Sequence, residues 1–353
     1  MTTLSPPRPL VEGLSAWLGR DLRDRENEWA YHLSAGDLAE IAAATAAVRE
    51  RGLDIGEIKR ADFPLPTLGP VLDRMRGEVL NGRGFVLLRG LPVEGRPMVD
   101  SAAAYWGVGT YFGNARSQNA KGHLLGHVCD LGLSTDDPNV RTYQTTERQH
   151  FHTDSCDIVS LLCLKTAKTG GLSSIVSSMA IYNEMATKRP DLVARLFRPF
   201  ATDRRGEVPA GEKPFHSVPI YNDHAGYLSG LYSRPYIQSG QRFPEAPRLT
   251  AEDIAALDML DDLANDADFR LDMIFRPGDM QFLHNHTILH DRTAFVDWNE
   301  PERKRHLLRL WLAAPGARPL PPVYAERYGS VTIGDRGGII CPNTRLHAPL
   351  EPV

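Results

Sequence analysis

The spacing of the apolar runs constrains this chain more than any other feature. They are short, bounded by turn residues, and fall in two blocks with a helical stretch between. In the first block Phe85-Val86-Leu87-Leu88 lies between Gly82-x-Gly84 and Gly90-x-Pro92 and reads as a buried strand. His123 to Val128, Ile158 to Leu164 and Leu172 to Ser177 follow, the last after Thr169-Gly170-Gly171. The second block places strands at 270–275, 280–290 and 304–313, with Arg276-Pro277-Gly278-Asp279 as the tight turn between the first two. Between the blocks, residues 179–198 and 250–264 have helical character. In the later stretch Thr250 is the N-cap, Asp253 stands at N3, and Ile254, Leu257 and Leu260 share a stripe. Residues 1–80 are also mainly helical. There Ser34 caps a helix with Asp37 three residues on, and Leu38, Ile41, Ala42 and Val48 face one way. Pro64-Leu65-Pro66 separates that helix from a second one over Val71 to Leu80.

Strands on both sides of a helical insertion point to a shared core, so we expect a single domain of mainly β (α+β) class. Residues 1–80 form a helical extension, 81–178 and 268–313 the β core, and 179–267 a helical insertion serving as lid. Residues 314–353, with Gly337-Gly338 and three prolines after residue 341, form a surface strap. No internal repeat or low-complexity tract interrupts this plan.

Composition removes several classes. Hydrophobic residues at 42% and charged ones at 24% exclude a disordered chain, a collagen-like fibre and a coiled coil. No apolar run approaches the roughly 18–20 residues that cross a bilayer, and the N-terminus lacks the apolar core of a secretory signal. Forty Lys+Arg against 44 Asp+Glu leave a net charge of −4, which argues against a nucleic-acid partner. The expectation is a soluble cytoplasmic protein with a small-molecule partner and no membrane partner; a homo-oligomer is compatible with it. Cys129, Cys156, Cys163 and Cys341 form no C-x-x-C pair and read as reduced structural thiols.

Chemistry concentrates in the histidines and arginines. Gln149-His150-Phe151-His152-Thr153-Asp154 contains the only H-x-D of the chain. On a strand, residues i and i+2 share a face about 6.6 Å apart, so His152 and Asp154 can converge on one metal ion. A histidine 138 residues on, His290, ends the apolar region Met280 to Leu289. It would complete a 2-His-1-carboxylate facial triad, which covers one face of an octahedral iron and leaves the rest open. Such a gap in sequence suits a jelly roll, where paired strands are far apart along the chain. His284 and His286 share the parity of His290 and are rival ligands, each more often a satisfied core histidine. Within Arg303 to Leu312, a strand would align Arg305, Leu307, Arg309 and Trp311 on one face. The two arginines lie about 13 Å apart, too far to clasp one carboxylate. Buried without anions they would be costly, so one can serve a cosubstrate and the other a substrate or an internal acid.

Five segments in order resemble the TauD/TfdA (clavaminate synthase-like) family of iron(II)- and 2-oxoglutarate-dependent oxygenases. They are F-H-T-D-S-C-D-I-V-S-L-L-C-L, T-G-G-L-S-S-I-V-S-S, P-G-D-M-Q-F-L, L-H-D-R-T-A-F and R-H-L-L-R-L-W-L, and the resemblance spans about Asn81 to Leu312. It implies a double-stranded β-helix (jelly-roll) core, with iron(II), 2-oxoglutarate as cosubstrate, and dioxygen. It also implies His152, Asp154 and His290 as iron ligands, and Arg305 and Ser173 on the distal carboxylate of 2-oxoglutarate. Arg309 matches an arginine that meets an anionic substrate in some relatives. Asp154 sets the chain apart from halogenating variants, which lack that carboxylate. The chain departs from the pattern at Leu283-His284-Asn285, where similar proteins carry consecutive asparagines. The implied activity is oxidation, foremost hydroxylation, of an unactivated C–H bond, with release of succinate and CO2. No acid within 300–312 is placed to satisfy Arg309, which suggests a small acidic substrate docked there. Two other readings stand beside this one: a cupin-type metalloprotein using His150-x-His152 or His284-x-His286, and a catalytically silent small-molecule binder on the same fold.

Overall fold

Alternation along the strands decides what each sheet covers. In the computed structural model, which describes residues 7–352 apart from Pro138, the larger sheet has spatial order β1 (Ala30–His32), β2 (Phe85–Arg89), β14 (Met280–His284), β6 (Ile158–Lys165), β17 (His306–Ala313), β3 (Asn114–Ala115). β4 (Gly126–Val128) also pairs with β17. The smaller sheet runs β13 (Arg270–Met273), β8 (Ser173–Ser177), β15 (Ile288–Arg292), β5 (Gln149–His152). Pairing is antiparallel except where β1 joins β2. Phe85 and Leu87 of β2 share a buried cluster with Val159, Leu283 and Trp311 of the larger sheet and Ile175, Leu271 and Ile288 of the smaller one. Their neighbours Val86 and Leu88 point the other way, with Leu308, Leu310 and Leu312, into the N-terminal helices. Phe151, Val176 and Leu289 likewise carry the outer face of the smaller sheet against the helices Ser178–Lys188, Pro190–Arg195 and Ala251–Asn265. The result is a two-sheet jelly roll with helices on both outer faces.

Both capping boxes form: Ser34 with Asp37 heads the helix Ala35–Glu50, and Thr250 with Asp253 heads Ala251–Asn265. The buried stripes differ slightly from expectation. Ala42 and Ile254 are exposed, whereas Ala44, Thr45 and Ala256 are buried. Thr45 tolerates burial because its hydroxyl donates to the Ile41 carbonyl at 2.7 Å.

Three expectations need correction. Residues 280–290 are not one strand: the turn Asn285-His286-Thr287 carries the chain from β14 in one sheet to β15 in the other. The insertion is not purely helical, since it contains the hairpins β9 (Pro199–Asp203) with β10 (Phe215–Pro219), and β11 (Tyr221–His224) with β12 (Tyr227–Gly230). A short pair, β7 (Thr169–Gly170) with β16 (Phe295–Val296), closes the strand set. Nor is the C-terminal segment a mere strap. Tyr324 and Tyr328 are buried, and Arg336, with no exposed surface, ion-pairs with Asp157 at 2.7 Å. Asp157 also meets His286 at 2.9 Å and the Ala314 N–H at 3.0 Å, so the tail completes a fully buried charge cluster. Among the described residues no helix is long and apolar enough to cross a membrane.

Candidate metal and cosubstrate site

His152, the last residue of β5, lies directly opposite His290 of β15 in the strand register. Because Ile288 faces the core between the sheets, His290 two residues on faces it too. Asp154 follows just past the end of β5. Its Oδ1 is 3.7 Å from His152 Nε2, and its Oδ2 is 3.7 Å from His290 Nε2. The three ligand atoms lie within 4.8 Å of one another, a grouping able to hold a metal ion.

The donor chemistry fits a divalent metal. The His150 carbonyl accepts from His152 Nδ1 at 2.8 Å, which fixes the tautomer and leaves Nε2 as the lone-pair nitrogen. Gln149 donates its amide to that nitrogen at 2.9 Å. Burial, followed by the neighbouring His152, pushes His290 down to about 3, so its ring is neutral, the form that binds metals. Burial alone would raise the Asp154 carboxyl; Arg309, the two imidazoles and the Trp311 N–H together outweigh it and hold the group below its ordinary range. Trp311 Nε1 donates to Asp154 Oδ2 at 2.8 Å. The Asp154 N–H donates to Asn285 Oδ1 at 2.9 Å, so the turn between β14 and β15 fixes the backbone of this carboxylate.

On one side of the triad, a cavity is lined by His152, His290, Ser173, Arg292, Arg305 and Arg309, among others. Arg305 is 4% exposed, and its Nη1 has no hydrogen-bond partner. Burial pushes its guanidinium down to about 10. A Cβ at Gly171, where φ is +67°, would stand 3.0 Å from Arg305 Nε, so glycine there keeps the arginine's space clear. An orphaned buried guanidinium beside an imidazole pair suits a dicarboxylate that reaches from metal to arginine.

On the other side, a larger cavity of about 870 Å3, open mouth included, shares Gln149, His152 and Arg309 with the first. Its walls include Val218, Ile220, Ile237 and Trp311, and its basic members include Arg141, Arg148, Arg327 and His216 as well as Arg309. Arg309 therefore stands at the seam of the two spaces. Of the partners left open for it, an internal acid is present: its Nη1 is 3.6 Å from Asp154 Oδ2, and its Nε donates to Gln118 Oε1 at 2.7 Å. His284 and His286 sit at the crossing between sheets, where His284 meets Thr287 at 3.1 Å and His286 meets Asp157. Neither joins the triad.

Sequence reasoning did not single out Arg141, Arg327, His216, Gln149 or Arg292. Arg292 lay inside L-H-D-R-T-A-F and shares its parity with His290, a signal that was available. Arg141 precedes a short turn and Arg327 lies in the four-residue helix Ala325–Tyr328, 186 residues on, and neither carries a local pattern.

The family description "Taurine catabolism dioxygenase TauD, TfdA family" matches residues 47–311. FR-33289 synthase of Streptomyces rubellomurinus is 33% identical over 320 residues, 88% of this chain and 92% of that protein. A uridine-5'-phosphate dioxygenase of an Amycolatopsis species is 28% identical over 184 residues, 50% of this chain and 65% of that protein. The structure of asparagine oxygenase with Fe(II), 3-hydroxyasparagine and succinate superposes with a TM-score of 0.63 at 17% identity, over 80% of this chain and 93% of that one, and shares the fold. The chain thus belongs to the taurine catabolism dioxygenase TauD, TfdA family and is an iron(II)- and 2-oxoglutarate-dependent dioxygenase.

Proposed function

We propose that this dioxygenase hydroxylates an unactivated C–H bond of a small acidic metabolite, with 2-oxoglutarate leaving as succinate and CO2. The observation that carries the reading is the meeting of two chemically different cavities at one triad. His152, Asp154 and His290 hold the iron. Arg305 clasps the distal carboxylate of 2-oxoglutarate, the Ser173 hydroxyl assists, and Gly171 leaves room for the arginine. When bound, iron(II), 2-oxoglutarate and dioxygen supply the oxidising chemistry.

The chain's own residues hold, orient and shield. The His150 carbonyl keeps the proton of His152 on Nδ1, while Trp311 and Arg309 steady Asp154. The apolar walls of the larger cavity limit water at the site of oxidation. Arg327 on that cavity supports an acidic substrate, since it has no carboxylate in ion-pair reach among the described residues and a half-buried cation favours an anion. The relative named for uridine 5'-phosphate acts on a phosphate ester, which supports the same reading. Arg309 adds positive field at the seam rather than a free clasp, because Asp154 and Gln118 already occupy it.

The test is substrate-stimulated succinate release across acids, their esters and neutral analogues. Stimulation by acids alone is expected. Equal stimulation by the neutral compounds would overturn the acidic substrate, and succinate release that survives replacement of His152, Asp154 or His290 would overturn the site.

A further inference from the structure

The buried charges around Asp157 do not balance. Arg336, at 2.7 Å, already matches the charge of Asp157, and burial keeps the rings of His284 and His286 neutral. Arg318 is a further cation beside them: its backbone carbonyl accepts from Arg336 Nη2 at 2.8 Å. Its side chain is half-buried and ion-pairs with no carboxylate among the described residues. Nη1 donates to the Leu228 carbonyl at 2.7 Å, and the guanidinium stands 5.1 Å from the centre of the Tyr227 ring. Nε is buried without a partner, so the edge formed by Nε and Nη2 is free among the described residues. Burial pushes the group down to about 10. A half-buried cation of this kind favours an anion.

That edge borders a cavity of about 900 Å3, open mouth included, which shares no lining residue with either space at the triad. Arg8 lines it too; its Nη1 pairs with Asp223 at 3.1 Å, while its Nε is buried without a partner. Leu10, Val11 and Met179 supply an apolar wall. The segment carrying Arg8 and Val11 is fastened to the helix Ser178–Lys188. Asn183 accepts from the Val11 N–H at 2.7 Å and donates to the Val11 carbonyl at 2.8 Å, and the Tyr182 hydroxyl donates to the Arg8 carbonyl at 2.7 Å. We infer that this cavity is a second ligand site, for a small carboxylic acid with a short aliphatic chain. The carboxylate lies on the free edge of Arg318, whose two parallel N–H groups match its two oxygens. The chain lies against Leu10, Val11 and Met179. One uncompensated cation suits a monoanion, and Glu12 on the same lining repels a more highly charged group. Thr287 also lines the cavity, three residues before His290 and so about 10 Å from it along an extended chain. The acid held here is therefore close to the triad but separate from the acid that reacts there.

Calorimetry of the Mn(II)- and 2-oxoglutarate-loaded protein, kept under argon, tests the site with butyrate, acetate, inorganic phosphate and 1-butanol. Butyrate is expected to bind at millimolar concentration, and acetate roughly tenfold more weakly for want of two methylenes. Phosphate and 1-butanol should both bind more weakly than butyrate. Arg318→Met should lower butyrate affinity ~10–100-fold, the range for one charge-assisted contact, and Arg318→Lys should recover part of it. Glu12→Gln removes a competing carboxylate and should raise butyrate affinity about two- to fivefold. Melting curves report folding for all three variants. Butyrate binding that is undiminished in folded Arg318→Met and Arg318→Lys lies elsewhere and would overturn the site. Phosphate or 1-butanol binding as tightly as butyrate would overturn the ligand class. A wild-type protein that binds no butyrate at millimolar concentration would also overturn the site, and binding restored only by Glu12→Gln would name Glu12 as the partner Arg318 already has.

Discussion

At Arg305, stability and cosubstrate binding pull in opposite directions, and a single substitution separates them. The side chain is 4% exposed, its Nη1 has no partner, and burial holds the guanidinium at about 10. That depression makes the cation about 3 kcal/mol less favourable in the folded chain. A base with a depressed folded value destabilises at every pH below that value. The cost is therefore present in full at neutral pH and fades only as the pH rises past about 10. Arg305→Leu removes it, but gives up stem packing near Phe295, where the guanidinium stands 5.3 Å from the ring centre. That loss and the gap left behind cost about 1–2 kcal/mol. The ligand-free variant should then be more stable by about 1 kcal/mol, a rise of a few degrees in Tm. With 2-oxoglutarate the sign reverses. Loss of a charge-assisted contact worth about 1.5–3 kcal/mol lowers affinity ~10–100-fold. Ser173→Ala removes one neutral donor and should cost less. Melting of both proteins with metal, with and without saturating 2-oxoglutarate, reads both halves at once. The wild type should start lower and climb steeply on adding 2-oxoglutarate, while the variant starts higher and barely moves. A variant that melts lower without ligand yet keeps the full ligand-induced rise would refute the reasoning on both counts, and a Ser173→Ala protein more impaired than Arg305→Leu would refute the anchor.

The remaining predictions concern the metal, the tail and acid. His290→Ala should lose bound iron by metal analysis, whereas His286→Ala should keep iron and lose stability, because it strips a partner from Asp157; the reverse pattern would mean the wrong histidine was chosen. Arg336→Met leaves a fully buried carboxylate short of its cation and should lower unfolding free energy by about 3–5 kcal/mol in denaturant titrations; a loss below about 1 kcal/mol would show the tail cluster to be dispensable. His123 and His306 are each held at about 4 by burial first, with His347 and His127 adding to the effect. Both bind fewer protons folded than unfolded between about pH 6.5 and 4, so stability should hold above that window and fall through it as the pH drops. Denaturation midpoints across the window check this, and His306→Asn should flatten the profile; an unchanged slope would dissociate these rings from acid sensitivity.

What could be read from the chain was what local rules govern. Ser34 with Asp37 and Thr250 with Asp253 cap helices through bonds three residues apart, and both boxes form. The strand at residues 306–313 keeps its alternation, with Leu308, Leu310 and Leu312 on the helix side and Trp311 between the sheets. Long-range pairing was not readable in this way. Arg309 and Asp154 lie 155 residues apart, and nothing near Arg309 announces its partner. The tail looked like a surface segment because of Gly337-Gly338 and its prolines, yet Tyr324 and Tyr328 pack into an apolar cluster and Arg336 meets an aspartate 179 residues away. Arg141 and Arg327 escaped notice for the same reason: neither belongs to a long apolar-periodic segment, and only the fold brings them to one wall.

The most instructive miss is the run from Met280 to His290. It contains no glycine or proline, and every residue from Met280 to Leu289 is buried, so periodicity alone reads one continuous strand. Parity counted along such a strand would put His284, His286 and His290 on one face. The chain instead leaves the larger sheet after His284 and enters the smaller one at Ile288. Each polar residue of the crossing finds at least one internal partner: His284 meets Thr287, His286 meets Asp157, and Asn285 meets the Asp154 N–H and Cys156 Sγ. Burial of a turn requires such partners, which is why this one hides inside an apolar run. Asn285 gives the crossing its purpose. It lies where similar proteins carry consecutive asparagines, and by accepting from Asp154 it ties the carboxylate at the end of β5 to the start of β15, whose third residue is His290. One turn thus sets both the switch of sheets and the spacing of two of the three metal-facing groups.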